Sequence, residues 1–76
     1  MPKITPLPAS RLRKIFEQAG FTLVRTEGDH FVYTKQGVPR PVVIPDWSSV
    51  PVFIIKNNMR TAGMSRDEYF ALLARI

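Results

Sequence analysis

The chain holds a single imidazole, His30, and no thiol, so the chemistry open to it is narrow. Imidazole is the side chain whose ordinary titration falls near neutrality, which lets it take or give a proton at physiological pH. His30 directly follows Gly28 and Asp29 and opens an apolar and hydroxylic run, Phe31-Val32-Tyr33-Thr34. A histidine presented at a turn can act on a substrate; one that merely pairs along a strand has no chemical role, and the residues alone leave both open. Without cysteine there is no disulfide framework and no thiolate zinc or iron–sulfur site. One histidine and six scattered acidic residues form no ligand cluster, so no metal is expected. The four glycines, at 20, 28, 37 and 63, are isolated, and no Gly-rich phosphate loop exists. No cofactor is expected either, and nothing supports a Ser/His/Asp triad.

Charge points to the class of partner. Eleven Lys and Arg against six Asp and Glu give +5 and a sequence pI near 10.3, a balance that favours polyanions. The excess lies in the flanks: residues 1–20 carry four basic and one acidic group, 21–50 three of each, and 51–76 four and two. Arg11 and Lys14 fall on one helical face and Lys56 and Arg60 on another at i, i+4. Such faces are commonly just solvated, yet their concentration on the flanks also fits phosphate contact. Trp47 reads either as part of the core margin or as a base-stacking residue.

These groups need a scaffold, and 76 residues at 8.7 kDa suffice for one domain, residues 1–76, with one core. Prolines at 2, 6 and 8 make residues 1–8 an extended lead-in, with Pro8 in the first turn of a helix. Leu12, Ile15, Phe16 and Ala19 recur at i, i+3, i+4 and i+7, one apolar stripe, and Gly20 stops the helix. Phe21–Glu27 and His30–Lys35 read as antiparallel strands joined by the Gly28-Asp29 turn, and Val42–Ile44 as a third, closed by Pro45. Alternation places Phe31, Tyr33 and Lys35 on one face and His30, Val32 and Thr34 on the other, with the two aromatics expected to point to the core and His30 outward. Pro51 begins a second helix with Val52, Ile55, Met59 and Ala62 on its stripe, ended by Gly63. Ser65 and Glu68 form a capping box for a third helix carrying Tyr69, Leu72, Leu73 and Ile76. The class is therefore α+β: a three-stranded antiparallel sheet with helices packed on one face. No apolar run is long enough for a membrane span or a signal peptide, so no membrane association and a cytoplasmic location are expected.

The ordered pieces now assembled resemble the HicA family of toxin–antitoxin toxins over roughly Ser10 to Leu73. The likeness rests on Gln18-Ala19-Gly20-Phe21 and on Gly28-Asp29-His30-Phe31-Val32-Tyr33 at the family's Gly-Ser-His motif. It continues through Val43-Ile44-Pro45 and Met59-Arg60-Thr61-Ala62-Gly63-Met64-Ser65 to Glu68, Tyr69 and Phe70. Asp29 stands where the family commonly has serine, and Phe31 where a second histidine is frequent. The resemblance implies a double-stranded-RNA-binding-domain-like fold, an mRNA substrate, His30 as the catalytic residue, Gly28 and Asp29 in the turn presenting it, and a HicB-type antitoxin covering the site.

That implied activity is consistent with what the chain lacks. RNA supplies its own nucleophile, the 2′-hydroxyl, so cleavage asks only for proton transfer and charge stabilisation at the phosphate. His30 would take the 2′-hydroxyl proton or protonate the 5′-oxygen, leaving a 2′,3′-cyclic phosphate. Lys35 and Arg40, near His30 in sequence, are the candidates for stabilising the phosphate, joined in RNA binding by Arg11, Lys14, Lys56 and Arg60. The alternative is a non-catalytic RNA-binding or protein-interaction module of the same fold.

Overall fold

Leu12, Ile15 and Phe16 line one stripe of the first helix, α1 (Ala9–Gln18), and none of the three is exposed to solvent. The computed structural model describes residues 2–76. After α1 come β1 (Thr22–Glu27), β2 (His30–Thr34), β3 (Val42–Pro45), α2 (Val52–Ala62) and α3 (Arg66–Leu73). The class is α+β in the order α-β-β-β-α-α, consistent with the double-stranded-RNA-binding-domain-like fold.

The sheet is antiparallel with order β1-β2-β3. Glu27 pairs with His30, His30 with Pro45, and Tyr33 with Val42. Because side chains alternate along a strand, Phe31, Tyr33, Val42 and Ile44 share one face, and His30, Val32, Val43 and Pro45 the other. The first face meets the helices: Tyr33, Val42 and Ile44 join the core with α1's stripe, Ile55 and Met59 of α2, and Tyr69 and Leu72 of α3. Phe31 packs half-buried at its margin. Val32, on the opposite face between Arg25 and Val43, is buried outside that cluster. A shift in register between Leu23 and Arg25 leaves Val24 without a partner, a β-bulge. β1 is exposed along its whole length, because it pairs only with β2 while α1 and α2 pack over β3.

The β1–β2 connection is the two-residue loop that its sequence dictates. Gly28 takes φ 58°, a left-handed value, and Asp29 does not. A positive φ at the first loop position alone calls for glycine there, and that twist matches the strands on either side.

Pro8 and Pro51 stand one residue outside their helices, at the N-cap, instead of in the first turn. Their extended ψ values of 147° and 158° place the chain just before the first helical residue. The expected lead-in begins at residue 1, which lies outside the described residues; its described part is stitched down, since Leu7 and Val50 form an isolated antiparallel bridge and Ile4 is buried.

At the start of α3 the Ser65 hydroxyl accepts from the Glu68 backbone N–H at 3.1 Å. This bond satisfies one of the four donors that a helix start leaves free. Ser65→Ala is expected to lower unfolding free energy by about 1 kcal/mol, read as a lower urea midpoint at unchanged m-value. Ser65→Asp, which keeps an acceptor at the cap, should recover most of it.

Candidate functional site

His30 is the first residue of β2, so the Gly28-Asp29 turn delivers it to one end of the sheet, on the face away from the helices. Its side chain is 45% exposed. Nδ1 sits 2.8 Å from Asp29 Oδ1. A carboxylate there favours a proton on Nδ1 and leaves Nε2 as the nitrogen free to meet a substrate. Asp29 itself is well exposed, so the contact orients the ring more than it stabilises the fold.

Antiparallel pairing decides what surrounds that imidazole. Pro45 lies across from it, and the Asp46 N–H donates to the Asp29 carbonyl at 2.6 Å. Trp47 follows, with its N–H donating to the Pro45 carbonyl and its own carbonyl accepting from the Ala9 N–H, both at 2.9 Å. The hairpin turn and the end of β3 therefore meet at the His30 end of the sheet, and the loop after β3 is tied to the start of α1. Trp47 is 43% exposed, which removes it from the core.

Lys35 and Arg40 are not at that end, which corrects their expected place beside the reacting phosphate. Five residues of extended chain carry Lys35 roughly 16 Å from His30, and Arg40 lies in the loop beyond. The Lys35 ammonium donates to the Ala19 carbonyl at 2.8 Å, close to Phe21, and so caps the end of α1. On the open face the nearest cation along the strands is Arg25, opposite Val32 and paired with Glu27 at 2.7 Å. Arg11 and Lys14 are exposed on α1. Lys56 and Arg60 come together, joined by Arg66, around a cavity of about 320 Å³ floored by Ile4, Met59 and Met64. The structure thus separates the predicted basic residues into α1, far-end and cavity groups instead of gathering them on His30.

Sequence reasoning also missed Arg13. Its Nε donates to the Tyr33 hydroxyl at 2.9 Å, and that hydroxyl donates to Glu17 at 2.7 Å. The guanidinium lies 3.8 Å from the centre of the Phe31 ring. Burial, helped by the bond to Glu17, pushes the Tyr33 phenol above its ordinary value, so it stays a proton donor at neutral pH. These contacts fasten β2 to α1 from behind the strand that begins with His30. The available signal was the i, i+4 spacing of Arg13 and Glu17.

Among the described residues no group of three or more His, Cys, Asp or Glu side chains is placed to hold a metal ion. The family described as HicA toxin of bacterial toxin–antitoxin systems matches residues 9–64 of the 76-residue chain. The chain belongs to the HicA toxin family. The matched segment runs from the first residue of α1 to just past α2, and so includes the whole sheet and the His30 turn. Membership makes this HicA protein a toxin of the toxin–antitoxin type and implies an antitoxin partner. A search among curated proteins finds no match. Among the described residues no helix of the HicA chain is long and apolar enough to cross a membrane.

Proposed function

We propose that this HicA-family toxin is an endoribonuclease acting on single-stranded mRNA, with His30 as its proton-transfer residue. The observation that carries the reading is the placement of the only imidazole, exposed at a hairpin end with Nδ1 against Asp29. In the reaction the 2′-oxygen bonds to phosphorus and the bond from phosphorus to the 5′-oxygen breaks. One proton leaves the 2′-hydroxyl and one reaches the 5′-oxygen. His30 carries out one of these transfers, and the product end is a 2′,3′-cyclic phosphate. Since the substrate brings the nucleophile, the step asks the protein for positioning and proton transfer.

Arg11, Lys14, Lys35, Arg40, Lys56 and Arg60 serve as distributed phosphate contacts that hold the strand, supported by the net charge of +5. A HicB-type antitoxin covers the open sheet face. Val43, exposed on that face, and Val24, exposed in the bulge, support this role.

The test is incubation of the purified protein with single-stranded RNA in EDTA. Fragments ending in 2′,3′-cyclic phosphate are the expected result. One observation favours the second reading, a non-catalytic RNA-binding module: Asp29 and Asp46 stand together at the His30 end and repel an incoming phosphate. That reading requires intact RNA after the incubation and an affinity that falls steeply with salt.

A further inference from the structure

We propose that Trp47 is a nucleobase-stacking site beside His30, taking a base next to the scissile phosphate of single-stranded RNA. The proposal rests on the ribonuclease reading and adds to it a residue that selects the substrate.

Three backbone hydrogen bonds fix the loop: Asp46 to the hairpin turn, Trp47 to Pro45, and Ala9 of α1 to Trp47. The backbone beneath the indole is thus as constrained as the sheet and helix it joins. Its place follows from the register, two residues past Pro45, which is the partner of His30. Yet the residue is left 43% exposed, and its ring takes part in none of the aromatic or cation–π pairs among the described residues. A tryptophan with that much surface in water forgoes part of the burial that a core tryptophan would gain. Rigid backbone under an unpartnered indole is what a stacking platform requires, because every base has a flat π-face.

Local charge favours a base over a phosphate at this spot. Asp46 in the loop and Asp29 in the adjoining hairpin turn bring two acidic residues to this end of the sheet, which disfavours the phosphodiester, while an uncharged base is indifferent to them. The strand then lies with a base over Trp47 and its phosphate turned toward the open face, where Arg25 stands and would exchange its Glu27 partner for the phosphate. Larger ring overlap makes purines the preferred occupants.

Trp47 is the only tryptophan, so its emission reports on this site alone. A short single-stranded RNA with 2′-O-methyl sugars lacks the nucleophile and stays intact, which allows binding to be measured on the wild-type protein. Trp47 emission is expected to quench over the same concentration range in which the anisotropy of the labelled RNA rises. Trp47→Ala should weaken binding on the order of tenfold, and Trp47→Phe much less. Replacing one purine by an abasic residue should weaken wild-type binding at one position of the strand and leave the Trp47→Ala protein indifferent there. Binding without any change in emission, or undiminished affinity in a folded Trp47→Ala protein, overturns the stacking site and leaves the ribonuclease reading standing. An emission change produced by an antitoxin protein and not by RNA also overturns it. The absence of both binding and cleavage of RNA defeats the ribonuclease reading, and the stacking site falls with it. Should Trp47→Ala fail to fold, Trp47→Leu, which keeps bulk without a π-face, takes its place with the same expected loss.

Discussion

His30→Ala is expected to cut the rate of RNA cleavage by roughly 10²- to 10⁴-fold, the span that general acid–base help contributes, while the protein stays folded. The two halves of that result come from different parts of the structure. The ring stands on the sheet face away from the core and is 45% exposed, so removing it opens no cavity among the buried side chains. The strand keeps its ladder, since the pairing of His30 with Glu27 and Pro45 is made by backbone atoms. Single-turnover cleavage of an end-labelled RNA measures the first half, and thermal unfolding the second. Asp29→Asn refines the picture: the amide keeps the size of the carboxylate but loses its charge, so it holds the ring less firmly. A loss smaller than that of His30→Ala is expected. A folded His30→Ala protein that cleaves at the wild-type rate would remove His30 from the mechanism.

Local signals in the chain were sufficient for most of the scaffold. The stripe of α1, the Gly28-Asp29 hairpin and the Ser65 cap each depend on residues a few positions apart along the chain, and each is found where its spacing puts it. The alternation of β2 also identified the face on which His30 lies. What failed was nearness along the chain as a guide to nearness in space. Lys35 follows His30 by five residues, yet an extended strand converts that separation into the length of the sheet. Trp47 is seventeen positions away, and antiparallel pairing returns it to the same end. The exposure of β1 follows from tertiary packing: it pairs only with β2, and the position of the helices over β3 leaves even Leu23 and Val24 bare. The grouping of Lys56 and Arg60 with Arg66 depends on how α3 and the lead-in dock, which no single segment encodes.

Phe16→Ala is expected to lower unfolding free energy by about 3 to 5 kcal/mol. Phe16 is fully buried, belongs to the central cluster and meets Phe21 edge to face with ring centres 5.6 Å apart. A domain of this length has a total stability of only about 4 to 11 kcal/mol at the usual 0.05–0.15 kcal/mol per residue. One truncation therefore removes about a quarter or more of it, and nearly all of it or more at the lower bound. With a urea m-value of about 1 to 3 kcal/mol/M, the midpoint should fall by at least about 1 M. Phe53→Ala is the contrasting variant: Phe53 is 66% exposed, and its loss should stay within about 0.5 kcal/mol. The comparison also separates two ways of losing cleavage. In Phe16→Ala the activity that remains should track the folded fraction and recover on cooling toward the temperature of maximum stability. In His30→Ala it should stay low at every temperature where the protein is folded. A Phe16→Ala protein as stable as the wild type would mean that α1 does not anchor the sheet, and the placement of His30 by that packing would fail with it.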